Sequence, residues 1–149
     1  MTFKEKIHRH YLQIINEKIG LLNNVMADLK ESSTNETKST AGDKHETALA
    51  MLQIEQANTR TQLAEMLEQK AVLEKLNPAI TTPVILNGSL VKTNKGYFYL
   101  STALGKAVVD GIPVMAISAQ SPLGKKIMSL KAGVLVEINS LIYVVESIE

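Results

Sequence analysis

Apolar positions along the first half of the chain recur at steps of three and four. Phe3, Ile7, Tyr11, Ile14, Leu21, Val25, Met26 and Leu29 trace one stripe, with Lys18 standing in it and Glu17, Asp28 and Lys30 around it. That spacing predicts an amphipathic helix from Phe3 to about Leu29. Gly20 interrupts the pattern at a cost of about 1 kcal/mol, too little to end the helix. Residues 31–42 hold no large apolar side chain and read as a loop. The stripe then restarts with Ala48, Met51, Leu52, Gln56, Thr59 and Leu63, and continues through Met66, Leu67, Lys70, Leu73 and Leu76. Asn77-Pro78 ends it, because the residue before proline is pushed out of the α region. Two such helices joined by a short polar loop bury their stripes most economically against each other, as an antiparallel coiled coil.

Beyond Pro78 the period shortens to that of strands. Val84–Leu86, Ser89–Val91, Tyr97–Leu100, Val114–Ile117, Val134–Ile138 and Leu141–Val145 are short β-branched or aromatic runs. Asn87-Gly88, Asn94-Lys95-Gly96, Asp110-Gly111, Ala132-Gly133 and Asn139-Ser140 punctuate them as turns. Ser121-Pro122 is a helix start, with serine as cap and proline at the first helical position. The fold class is therefore α+β: a helical hairpin over residues 1–77 with its tip near 32–46, a linker over 77–82, and a small antiparallel sheet domain with one short helix over 78–149.

Composition narrows the chemistry. A formal net charge of +1 excludes the broad basic field of a protein that holds nucleic acid by its phosphates alone. The absence of cysteine excludes disulfides, thiolate zinc sites and thiol nucleophiles. No Gly-x-Ser-x-Gly, P-loop or dinucleotide fingerprint is present, so nothing marks an independent enzyme. No secretory signal and no spanning apolar run is visible, which leads us to expect a soluble, cytoplasmic protein with no membrane association. His8 and His10 stand two apart and do not share a helix face, and His45 has no partners at ligand spacing, so none is assigned to a metal. Lys125, Lys126 and Lys131 read as a solvated face. In Tyr97-Phe98-Tyr99, strand alternation predicts Phe98 toward the core and both tyrosines on the other side.

One motif stands where the two helical patterns meet: Gly42-Asp43-Lys44-His45-Glu46 places two carboxylates three residues apart at the hairpin tip. Asp followed by Glu at that spacing is a capping box, in which Asp43 accepts from first-turn amides and Glu46 reaches back to the Asp43 backbone N–H. The same pair, presented outward, is also a hard-ligand half-site for a divalent cation.

Taken together, the order of parts resembles the bacterial Gre family of transcript-cleavage factors. The tip is similar to that family's Gly-Asp-x-x-Glu, and Ser121-Pro122-Leu123-Gly124 with Lys125-Lys126-Ile127 resembles its C-terminal signature. Lys131-Ala132-Gly133-Val134-Leu135-Val136-Glu137-Ile138 resembles a following family strand, with Val134 where Asp is usual. After the tip, Thr47-Ala48-Leu49-Ala50 replaces the usual Asn-Ala-Glu-Tyr.

The resemblance implies an FKBP-like second domain, RNA polymerase as partner, and a hairpin that enters the polymerase secondary channel. It implies that Asp43 and Glu46 help hold a Mg²⁺ shared with the polymerase, this chain having no cofactor of its own. It further implies that Ser121, Pro122, Leu123 and Gly124 meet the partner, and that nascent RNA and DNA are met only through the elongation complex. The expected protein is a monomeric accessory factor that stimulates cleavage of backtracked RNA. The alternative is a polymerase-binding regulator without cleavage. A prolyl isomerase or peptide-binding role is less favoured, since only Tyr97, Phe98, Tyr99 and Tyr143 supply aromatics to the second half.

Overall fold

Helix α1 spans Phe3–Thr37 and α2 spans Gly42–Lys75. The computed structural model describes the backbone of residues 1–37 and 42–149, and the side chains of residues 1–35 and 46–149. Thus α1 runs some two turns further than the polar composition after Leu29 suggested. A helix closes its backbone hydrogen bonds locally, so polar residues do not end it where solvent covers every face. Thr34 fits by turning its hydroxyl back onto Lys30 O at 3.0 Å.

Contacts divide the chain into two units, one of Ile14–Lys70 and one of Met1–Gln13 with Ala71–Glu149. In the Ile14–Lys70 unit, α1 buries Ile15, Met26 and Leu29, with Ile19 and Leu22 half-buried between them. This seam lies one position over from the predicted Ile14–Leu21–Val25 stripe: Leu21 is 65% exposed and Val25 44%. The steps of four, three, four and three between Ile15 and Leu29 average the heptad spacing of a coiled coil. From α2, Leu52, Gln56, Thr59, Leu63 and Met66 carry the other side, as their spacing predicted. Two of these are polar and find partners. Gln56 Nε2 donates across the pair to Leu29 O at 3.3 Å, and the Thr59 hydroxyl donates to Glu55 O at 2.8 Å.

In the other unit six strands form one sheet: β1 Leu90–Thr93, β2 Gly96–Leu100, β3 Gly105–Val109, β4 Ile112–Ile117, β5 Leu135–Ile138 and β6 Leu141–Ile148. Their order is β3-β4-β2-β1-β6-β5. All pairs are antiparallel except β2 with β4, which run parallel from Tyr97↔Val114 to Leu100↔Ile117. That pairing is possible because β3 acts as the crossover, leaving β2 and returning antiparallel to β4 on the sheet's outer edge. Strand β3 escapes the sequence reading, although Asp110-Gly111 signals its hairpin. Both residues have positive φ, 52° and 76°, the geometry of a two-residue hairpin turn. Conversely Val84–Leu86 is no strand. Ile85 instead exchanges backbone bonds with Leu130 O (2.9 Å) and Ser129 N (2.7 Å), which holds its fully buried side chain in the core.

The sheet is covered on both faces. On one, α3 (Pro122–Ile127) packs Ile127 and half-buried Leu123 onto Ile85, Val91, Leu100 and Val145. On the other lie the first turns of α1, with Ile7 and Tyr11 fully buried. Hence Tyr99 is buried completely and Phe98 only partly, the reverse of the expected core assignment. The second cover is α1 itself, and strand alternation alone does not reveal which face a distant helix will seal.

Candidate functional site

Two sets of residues singled out by sequence fall in different units, and each is built differently. Helix α2 begins at Gly42, one residue before Asp43. Position 43 therefore stands inside the first turn rather than at the cap. The side chain of Asp43, like that of His45, lies outside the described residues. Glu46 is exposed, three residues further along the same helix. A first-turn acid is favoured there by the positive end of the helix macrodipole. Among the described residues no group of three or more His, Cys, Asp or Glu is placed to hold a metal ion.

The second set is brought together as one turn. Ser121 adopts extended φ/ψ (−65°, 158°) and caps α3, its hydroxyl accepting from Gly124 N at 3.0 Å and donating to Ser118 O at 2.7 Å. Pro122 occupies the first turn, where its missing N–H is no loss. Gly124 is buried, and a side chain there is excluded because a Cβ would run into Ser118 O. Leu123 packs into the α3 core cluster. Of the four, Pro122 alone is exposed; Ser121 and Gly124 shape the turn, and Leu123 packs toward the core. This internal use of the motif has a sequence signal, the Ser-Pro helix start, but the close approach at Gly124 has none.

A third cluster was given no role by sequence. His8 is 7% exposed on the α1 face of the sheet, with Nδ1 2.7 Å from the Tyr99 hydroxyl. One turn on, the Tyr11 hydroxyl donates to Gly105 O at 2.7 Å, with Val114 O also near at 3.1 Å. The two tyrosine rings lie 6.5 Å apart. Burial pushes the Tyr11 hydroxyl up to about 12, partly opposed by a backbone hydrogen bond from Ala116, and burial raises Tyr99 as well. Both therefore stay protonated and able to donate. Lys4 Nζ reaches Ile80 O at 2.6 Å, and burial lowers its pKa against the opposing pull of Glu149. Lys6 pairs with Asp110 at 2.9 Å, and Phe3 stands edge-on to Tyr97. These contacts tie the start of α1 to β2, β3, β4 and the segment before β1.

Burial, and then the neighbouring Lys4, hold the His8 imidazole below its usual 6.5. The folded state thus favours neutral His8, while the unfolded chain takes up a proton below about 6.5. Stability from this group is complete above that value and declines as the pH falls through it toward the lower folded value. Urea midpoints measured from about pH 7.5 down to about pH 5 should fall, and His8→Gln should flatten that limb. An unchanged slope in the variant would remove His8 as the cause.

Among the described residues no helix is long and apolar enough to cross a membrane. No protein-family model and no curated protein matches the chain. Among solved structures the chain is similar to that of the transcription factor Gfh1, at 17% sequence identity and a TM-score of 0.34, over 96% of this chain and 91% of that one. A likeness of that size says nothing by itself about what the chain does.

Proposed function

We propose that this protein is a Gre-type accessory factor of RNA polymerase, whose hairpin enters the secondary channel and whose tip acids assist cleavage of backtracked RNA. The observation that carries this reading is the conjunction of two features. Helices of 35 and 34 residues follow one another as α1 and α2, with Asp43 and Glu46 at the start of the second. The same chain continues into a sheet domain whose Ser121-Pro122-Leu123-Gly124 motif opens its short helix.

Two carboxylates are suitable donors for Mg²⁺ but too few to hold it alone, since that ion wants six oxygen ligands. The donor set fits a shared ion, with most ligands supplied by the polymerase. When bound there, such an ion activates water and offsets charge on the phosphate. What this chain contributes is placement: Asp43 and Glu46 carried three residues apart on one helix, with exposed Glu46 unobstructed. The protein acts on another enzyme's active centre and has none of its own.

A second reading is favoured by one feature, the replacement of the usual tip continuation by Thr47-Ala48-Leu49-Ala50. In it the protein occupies the channel and modulates the polymerase without cleavage.

Backtracked elongation complexes of the cognate polymerase separate these. Wild type should shorten the RNA from its 3′ end, while Asp43→Asn and Glu46→Gln should bind equally well and lose cleavage. Binding without cleavage by the wild type would establish the second reading instead. No binding at all would sink both.

A further inference from the structure

In the sheet unit a cavity of about 320 Å³ opens between the last turn of α2 and the turns that follow β2 and β4. That volume is at the small end of ligand pockets, roughly 300–1,000 Å³. Val72 and Leu76 form an apolar wall, and the rest of the lining is polar.

The polar groups can donate hydrogen bonds, Lys75 exclusively and the amides and hydroxyls as well as accepting them. Ser118 Oγ donates to Gln120 Oε1 at 2.8 Å and accepts from Gln120 N at 2.9 Å, so the serine proton and the amide oxygen are both engaged. What Gln120 has left to offer is its Nε2 hydrogens. Ser101 Oγ is 3.5 Å from Tyr99 O, the limit of hydrogen-bond reach. The Thr102 hydroxyl and the Asn87 amide have no protein partner among the described residues and open onto the cavity. Lys75 adds a cation that no carboxylate among the described residues neutralises. No acid lines the cavity.

A lysine in the last turn of a helix is also what the macrodipole favours. That accounts for Lys75 but not for the donors gathered opposite it from three separate turns. Polar groups that line a concave site and lack a protein partner are free to meet a ligand there.

We infer that this cavity is a binding site for a small organic anion, in which Lys75, Asn87, Thr102 and Gln120 hold a carboxylate or phosphate group and Val72 and Leu76 contact an apolar body. A charged oxygen group makes stronger, shorter bonds to such donors than a neutral one does. The inference does not depend on any role at the polymerase.

The test uses the full-length protein in ¹⁵N–¹H correlation spectra, titrated separately with phenyl phosphate, benzoate, inorganic phosphate and benzylammonium. Saturable shifts are expected at the amides around residues 75–76, 87, 101–102 and 118–120 with phenyl phosphate, benzoate or both. The tighter of the two identifies the anion class, and inorganic phosphate alone should bind more weakly for want of the apolar body. Lys75 is exposed, so Lys75→Gln should fold normally and weaken binding by about tenfold or more, with Lys75→Arg near wild type. The inference is overturned by unsaturated or scattered shifts up to about 10 mM, by equal shifts with benzylammonium, or by Lys75→Gln binding as the wild type does.

Discussion

Gly124→Ala is expected to destabilise the sheet unit by on the order of 3 kcal/mol, a large value for the addition of one methyl group. The new Cβ would lie 2.1 Å from Ser118 O, 2.8 Å from Ser121 Oγ and 3.0 Å from Ala119 Cα. Two of these are backbone atoms, so no side-chain rotation relieves the overlap. The carbonyl in question already accepts from both Ser121 N (3.1 Å) and Ser121 Oγ (2.7 Å), and moving it breaks the turn that starts α3. Losing α3 would uncover Ile127 and the Ile85–Leu100–Val145 cluster beneath it. Ser121→Ala, which removes only the cap, should cost about 1 kcal/mol. Gly20→Ala is the informative contrast: nothing lies within 4 Å of its Cβ, and a better helix former there should add up to about 1 kcal/mol. Urea unfolding followed by signals confined to the sheet unit reads Gly124→Ala and Ser121→Ala, and signals from the Ile14–Lys70 unit read Gly20→Ala, since a chain of two units need not unfold in one step. A Gly124→Ala midpoint close to wild type would show that the turn relaxes freely, and would end the argument for a steric glycine.

Nearly as large an effect is expected at the start of α1. Tyr11→Ala should cost about 3–5 kcal/mol, the range for deleting a fully buried aromatic side chain. Tyr11 has no exposed surface, packs beside Tyr99, and donates its hydroxyl to Gly105 O. Tyr11→Phe keeps the ring and loses the hydrogen bond to Gly105 O, and should cost about 1–2 kcal/mol. The ratio between the two separates packing from hydrogen bonding. If Tyr11→Ala lost no more than Tyr11→Phe, the ring would contribute nothing, and the α1 face of the sheet could not be a core.

These two positions also show how differently the sequence spoke. Ser121-Pro122 announces a helix start in any context, because a capping hydroxyl and a proline without N–H suit the first turn and little else. The need for glycine at 124 is invisible beforehand, since it comes from a carbonyl six residues earlier folding back underneath. Tyr11 carried the right period for burial, but its register with Gly105 and Val114 is set by tertiary packing over more than ninety residues. The hairpin stripe was legible in α2 and displaced by one position in α1. Either Ile14 or Ile15 continues a step of three or four, and only the partner helix selects between them. Of the proposed polymerase-facing residues, Asp43 and Glu46 were legible from their spacing, yet the same spacing reads equally as a cap. Helix α2 beginning at Gly42 moves Asp43 off the cap position. The cavity beside Lys75 left no trace in the sequence, because its donors come from four separate segments.

By itself, the sequence determined what depends on neighbours along the chain. These features are two long amphipathic helices ended by Asn77-Pro78, a β-rich second half, the Asp110-Gly111 and Asn139-Ser140 turns, and the helix opened by Ser121. Periodicity, capping and turn geometry act over a few residues, so they are written locally. Only the tertiary structure decided which face of each element is buried, that β3 crosses outside to let β2 and β4 run parallel, and that α1 seals His8 and Tyr11 against Tyr99. Burial and partner choice depend on what arrives from elsewhere in the chain, and no local pattern carries that information.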